Sequence, residues 1–347
     1  MSASNDIDGE RRAFYDRIDG DNLAPLWEVF HDLVSKAPAS PAAPALWRYD
    51  EIRPFVLESG GLITAKEAER RVLVLENPGL RGRSRITPSL YAGLQLILPG
   101  EVAPAHRHSQ SALRFIVEGE GAYTAVEGER TYMAPGDFVI TPSWTWHDHG
   151  NEADEPVVWL DGLDIPIVGL FDATFAESHA ADSQPVRRPA GDSLARYGSG
   201  LLPVDFRPET PTSPVFSYPY ARTREALAQM QRADEWDPCH GLKLKYVNPA
   251  TGDYAMATMA TFMQLLPAGF EGQPYRSTDG TVFSVVEGRG RTEVGETVLD
   301  WGPKDTFIVP GWHWLSHVAS EEAVLFSFSD RVVQEKLGLW REARGNQ

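Results

Sequence analysis

The chain repeats itself. Phe115 to Gly121 reads FIVEGEG and Ser284 to Gly290 reads SVVEGRG. Pro135 to His149 (PGDFVITPSWTWHDH) is matched by Pro303 to His317 (PKDTFIVPGWHWLSH), and Leu94 to Gly100 (LQLILPG) by Met263 to Gly269 (MQLLPAG). Gly119 and Gly288 lie 169 residues apart, and Pro142 and Pro310 lie 168 apart. Three ordered matches at one offset mean an internal duplication. The offset is close to half of the 347 residues, so the length is one unit copied once, with an arm, and not two unlike domains.

The repeated unit reads as β-structure. From Ser89 to Ile165, and again from Lys243 to Ser329, short apolar runs alternate with Gly, Pro and Asp turns. Strands at that spacing predict an antiparallel sandwich or barrel. The expected organisation is a helical arm and linker over 1–80, a first barrel over 81–175 and a connection with a helix over 176–240. A second barrel follows over 241–330 and a closing helix over 331–347. In the arm, Phe14, Ile18, Leu23, Leu26, Trp27, Phe30 and Leu33 are spaced helically around Pro25. Ala37 to Ala45 is an extended Pro/Ala linker. Glu51 to Leu57 predicts a short element and a turn, followed by a helix-to-strand passage over Leu62 to Leu75. Thr223 to Asp234 predicts a helix capped by Thr223.

Composition removes several classes of function. Against 32 Lys and Arg stand 49 Asp and Glu, a net charge of −17. A chain so acidic repels phosphate backbones and anionic membranes. No apolar run approaches the roughly 20 residues of a membrane span, and the N-terminus has no apolar core of a secretory signal. Cys239 is the single cysteine and has no disulfide partner, which predicts a reducing cytoplasm and an inert buried thiol. The charge also poses a question, because an anionic substrate would need local positive charge to enter.

Four of the nine histidines, His106, His108, His147 and His149, fall within a 44-residue window of the first copy. Side chains at i and i+2 on a strand point to one face, so His106 and His108 can grip one ion. His147 comes from a neighbouring wall. Three neutral imidazoles on one face leave the far side of the metal open, as in facial non-haem Fe(II) sites. In the second copy Tyr275, Ser277 and Leu315 stand in the three ligand places. That barrel is expected to be metal-free, with His313 and His317 structural.

Gly100-x5-His106-x-His108 followed by Gly119 resembles the first cupin motif, and Gly136-x5-Pro142-x-Trp144-x2-His147-x3-Asn151 resembles the second. The fold implied is mostly β, a bicupin of two tandem jelly-roll barrels. Trp144 replaces the usual glycine, and Ala112 replaces the glutamate that three-His-plus-Glu manganese cupins use. Trp144 and Trp146 read as core aromatics, with pocket wall as the alternative. Without the glutamate, the site favours a chelating anion such as a carboxylate beside a phenolic oxygen. Arg114, six residues after His108, can hold such a carboxylate bidentately.

Beyond the motifs, the strings LYAGLQLILPGEVAPAHRHSQSALRFIVEGEG, TPSWTWHDHGN, WLDGLDIP and KLKYVNPATG resemble the gentisate 1,2-dioxygenase family, which is similar to enzymes that cleave salicylate and 1-hydroxy-2-naphthoate. The resemblance implies one Fe(II) per chain on His106, His108 and His147, with dioxygen as co-substrate. It implies ring opening of 2,5-dihydroxybenzoate between the carboxyl-bearing carbon and its hydroxyl-bearing neighbour, giving maleylpyruvate. It also implies a homotetramer. Among the site residues, Arg114 would hold the carboxylate, and His149 would bond substrate or act as acid or base. Gln95 would be a pocket residue, Tyr91 and Gly93 would shape the wall around the ring, and Arg70 would offer a second cation from the N-terminal region. Asp161 would orient or neutralise a pocket histidine, a strand-end carboxylate being the alternative.

Overall fold

The computed structural model describes residues 2–345, so Met1 of the expected arm and Asn346 and Gln347 of the expected closing helix lie outside the described residues. Two compact units divide after Ala39. The first holds helices α1 (Ser2–Asp19) and α2 (Leu26–Leu33). Pro25 separates them: it stands at the N-cap of α2 with φ −75°, where its missing N–H costs nothing. No residue of α2 is buried.

The second unit holds the duplicated β-structure. It opens with β1 (Ala45–Trp47), α3 (Tyr49–Leu62) and β2 (Val72–Val74). The first copy runs through β3 (Tyr91–Ile97), β4 (Val102–His108), β5 (Ala112–Glu118), β6 (Ala122–Val126), β7 (Glu129–Tyr132), β8 (Phe138–Thr141), β9 (His147–Asn151) and β10 (Val157–Leu163). Then come α4 (Ile165–Leu170), β11 (Ala176–Ser178), α5 (Asp192–Tyr197), β12 (Ser217–Tyr218), α6 (Tyr220–Gln231) and β13 (Leu242–Lys245). The second copy runs through β14 (Ala260–Leu266), β15 (Phe270–Glu271), β16 (Tyr275–Ser277), β17 (Thr281–Glu287), β18 (Gly290–Val294), β19 (Thr297–Trp301), β20 (Thr306–Val309), β21 (Leu315–Ala319) and β22 (Ala323–Ser329). Helix α7 (Arg331–Lys336) and β23 (Glu342–Arg344) close the described chain.

Sheet topology repeats as the sequence does. The first copy makes sheets of order β8-β5-β10-β3 and β4-β9-β6-β7, and the second makes β20-β17-β22-β14 and β16-β21-β18-β19. Each copy is thus a two-sheet jelly roll.

Several local expectations are corrected. The predicted short element and turn are one helix, α3, and the helix expected from Leu62 is absent, since none lies between α3 and β2. Gly60 lies within α3, where an added Cβ would come 3.0 Å from Leu98 Cδ1, so it is a close-packing position. Helix α6 starts at Tyr220 and not at Thr223; the Asp137 carboxylate accepts from the Tyr220 backbone N–H at 2.8 Å and pins that end. The stretch expected as a connection supplies edge strands to the first barrel, β11 against β4 and β12 against β8. Likewise β1, expected in the arm, pairs with β20 of the second barrel. Among the described residues the closing stretch is helical only over α7, and β23 pairs with β16.

The largest core lies between the barrels. Leu113, Phe115 and Val117 of β5 and Leu94 and Leu96 of β3 share one cluster with Val282, Val324, Phe326 and Phe328 of the second barrel. Phe115 stacks on Phe326 with ring centroids 4.1 Å apart and planes 4° apart. The alternate residues face inward: Ile97, Ile116, Val139 and Trp159 form a separate cluster inside the first barrel. The strands of this layer are therefore buried on both faces, which is why they read as near-continuous apolar runs. Phe115→Ala should cost about 3–5 kcal/mol of stability, read as a lowered denaturation midpoint with an unchanged m-value.

Candidate metal centre

Strand β4 carries His106 and His108, and β9 carries His147 opposite His106 in the ladder. One ring nitrogen of each lies within 4.8 Å of those of the others. The ring centroids are 5.2 Å apart for His106 and His108, 4.6 Å for His106 and His147, and 4.7 Å for His108 and His147. The tautomers follow from the hydrogen bonds. His108 Nδ1 lies 2.9 Å from Gln110 O and His147 Nδ1 3.0 Å from Thr145 O. A carbonyl only accepts, so each Nδ1 carries the proton and each Nε2 presents a lone pair. His147 Nε2 is buried without any partner. Burial, before the neighbouring cations, holds all three imidazoles neutral, with His108 at about 4 and His147 well below its ordinary value. Neutral imidazole is the ligating form. The donor set therefore fits a divalent first-row metal.

The cations come next. Arg114 is buried on β5; its Nη1 donates to Thr141 Oγ1 at 2.5 Å and its Nη2 to His149 Nε2 at 3.0 Å. Its Nε lies 3.7 Å from Asp161 Oδ1, directly across the ladder. Burial lifts the Asp161 carboxyl to about 6 although Arg114 pulls it down, and Trp159 Nε1 donates to it at 3.0 Å. The half-buried Arg70 reaches in from the irregular stretch before β2, with Nη2 3.3 Å from His106 Nε2. Burial, then the like charge of Arg114, pushes it down to about 9.

The expected pocket residues of β3 share one face of the strand. Tyr91, Gly93 and Gln95 alternate with Leu94 and Leu96 of the inter-barrel core and so share the inward face of Ile97. A Cβ at Gly93 would stand 2.4 Å from Val72 Cγ1 and 3.0 Å from the Tyr91 hydroxyl, so only glycine fits there. His149 has a partner on each ring nitrogen. Its Nε2 accepts from Arg114, which leaves the proton on Nδ1 to be donated to Thr124 Oγ1 at 3.0 Å; that hydroxyl donates in turn to Met133 Sδ. Both ring nitrogens are taken, and the ring holds Arg114.

Trp144 and Trp146 are neither core nor pocket wall. Both are half-buried and flank the Arg107 guanidinium, at 4.5 and 4.7 Å from the ring centroids. Arg107, between the two ligand histidines, also pairs with Glu177 of β11 at 2.5 Å. Trp144 takes φ +62° at the motif's usual glycine position, a strain of about 1–2 kcal/mol that the stack offsets. The second copy repeats the arrangement: Arg276 lies over Trp312 and Trp314, and Trp312 has φ +63°. Sequence reasoning missed this clamp, and it missed Thr141 and Thr124. Thr124 and His149 recur as Thr292 and His317, bonded at 2.8 Å, so comparing the copies residue by residue was the available signal.

Two cupin barrels, the first with a three-histidine cradle open on one side and two arginines beside it, define a bicupin with a metal-ion site. The cupin domain family matches residues 93–163. Gentisate 1,2-dioxygenase 1 of Aquipseudomonas alcaligenes is 62% identical over 335 residues, 96% of each chain. The 5-aminosalicylate 1,2-dioxygenase of a Comamonas species is 35% identical, over 99% of this chain and 92% of its own. A crystal structure of salicylate 1,2-dioxygenase from Pseudoaminobacter salicylatoxidans, in an adduct with gentisate, superposes with a TM-score of 0.92 at 34% identity, covering 97% of this chain and 94% of that one. The chain belongs to the gentisate 1,2-dioxygenase family and is a ring-cleaving dioxygenase. His147→Ala, which removes the ligand atom with no other partner, should weaken metal binding by more than about 100-fold, measured as metal per chain after dialysis against a chelator.

Proposed function

We propose that the protein is an Fe(II)-dependent gentisate 1,2-dioxygenase, opening the ring of 2,5-dihydroxybenzoate between the carboxyl-bearing carbon and the adjacent hydroxyl-bearing carbon to give maleylpyruvate. The observation that carries this reading is the 62% identity to a gentisate 1,2-dioxygenase across 96% of both chains, joined to a neutral three-imidazole cradle with Arg114 and Arg70 beside it. When bound, Fe(II) supplies the redox centre at which the hydroxy acid and dioxygen meet.

The chain's own residues bind and orient. Thr141 and His149 each take one N–H from Arg114, leaving one on each terminal nitrogen for an incoming carboxylate. Arg70 adds a second guanidinium at His106. Asp161, lifted only to about 6 by burial, is still mostly ionised at neutral pH; it offsets one of the two guanidinium charges and leaves the other beside the neutral imidazoles. The pocket is therefore cationic inside a chain of net charge −17, which answers how an aromatic acid enters it. Tyr91, Gly93 and Gln95 form the wall against the ring. His149 is a positioning residue, because its ring fixes the Arg114 fork and keeps no proton for the substrate.

The reading carries with it a homotetramer in the cytoplasm. The buried lone thiol of Cys239 supports a reducing compartment, and the exposed Leu26, Trp27 and Leu33 of α2 support assembly.

Oxygen uptake by Fe(II)-reconstituted protein tests the function, with gentisate, salicylate and 1-hydroxy-2-naphthoate compared side by side. Gentisate should be consumed with one dioxygen per ring and at the highest kcat/KM; a higher kcat/KM for either other acid assigns the enzyme to that substrate instead. Arg114→Gln should raise the KM for gentisate by more than about tenfold, since one charge-assisted bidentate contact is worth about 1.5–3 kcal/mol.

A further inference from the structure

The second barrel keeps a cavity where the first holds its metal cradle. It is lined by His240, Lys243, Tyr275, Ser277, Asp279 and His317 and has a volume of about 20 Å³, room for one or two water-sized groups. The ladder shows how it diverged: Arg114 opposite Asp161 in the first copy becomes Phe283 opposite Ser327 in the second. What remains around the cavity is rich in donors.

Lys243 lies on β13, opposite Gln264 of β14. Its Nζ sits 4.8 Å over the Phe262 ring. Among the described residues it makes no hydrogen bond and no ion pair. The cavity's other cation, Arg331, already has a carboxylate partner, whereas Asp279 forms no ion pair among the described residues. Arg331 donates to Glu335 at 2.7 Å and covers Trp340, while Asp279 accepts from Trp340 Nε1 at 2.9 Å. Burial holds Lys243 down at about 8 against the pull of Asp279.

The second donor is His317, 1% exposed. Thr292 Oγ1 already accepts from Trp301 Nε1 at 2.9 Å, and it lies 2.8 Å from His317 Nδ1. The threonine has one proton to give, and Nδ1 is the acceptor in reach, so His317 carries its own proton on Nε2. This is the opposite tautomer to His149, and that N–H has no protein partner among the described residues. A neutral imidazole N–H and an unpaired ammonium thus line one small cavity.

We propose that the second barrel binds a halide-sized monovalent anion between Lys243 Nζ and His317 Nε2. Such an ion neutralises the unpaired ammonium and accepts the orphan N–H. It also fits a space too small for an aromatic acid.

Crystals of the full chain grown without halide and soaked in sodium bromide test this directly. An anomalous peak should appear within hydrogen-bonding distance of Lys243 Nζ and His317 Nε2. In solution, bromide should raise the Tm saturably by about 2 °C over gluconate at equal ionic strength. Lys243→Met should lose that response while keeping the kcat/KM for gentisate. A cavity without an anomalous peak in the unsubstituted protein overturns the proposal, and so does an equal Tm response in the folded variant.

Discussion

The apolar layer between the two barrels is the contact on which the rest depends. Phe115 lies flat on Phe326, and the outward residues of β3, β5, β8 and β10 pack against their counterparts from the other copy. Each such side chain gains about 1.5–3 kcal/mol on burial. Because that cohesion comes from the outer faces, the inner face of the first barrel is free to be polar. Three imidazoles, Arg114 and Asp161 sit there, although burying an ion costs several kcal/mol before its partners respond. A single barrel of this composition would have to find its core in the same space as its chemistry.

Duplication separates what the fold requires from what the reaction requires. Both copies keep the strand order, the Trp–Arg–Trp stack, the left-handed tryptophan and the His–Thr pair inside the barrel. These hold the outer wall and the barrel filling in place whether or not a metal binds. Only the first copy has the three ligands, the buried arginine and its carboxylate. The same histidine position then serves two ends: in the first barrel its Nε2 accepts a hydrogen bond from an arginine, and in the second its Nε2 has no protein partner among the described residues and faces a cavity.

Much of this was legible in the sequence. The repeated strings carried the two-barrel architecture, because strands and their turns must repeat if the fold does. The i, i+2 histidines and the later His147 carried the metal cradle, because strand geometry leaves them one face to share. Features depending on contacts far apart in the chain were not legible. The edge strands β1, β11 and β12 are two or three residues long and take their structure from the strand they join. Gly60 sits inside α3 because the side chains of Leu96 and Leu98 pack against it, a contact between distant parts of the chain. Trp144 and Trp146 are two aromatics one residue apart, and nothing local says that an arginine from β4 lies between them. His149 reads as a pocket histidine by spacing alone; its partners Arg114 and Thr124 come from other strands and are not visible locally.

The central claim is that one barrel's interior orients an aromatic hydroxy acid between the imidazole cradle and the buried guanidinium. A crystal structure of the iron-loaded protein, prepared without oxygen and with gentisate, measures this most directly. The account predicts iron on His106, His108 and His147 of the first barrel, and the gentisate carboxylate within hydrogen-bonding distance of the free N–H groups of Arg114. Gentisate bound in another cavity, or bound at the iron with its carboxylate turned away from Arg114, would contradict it.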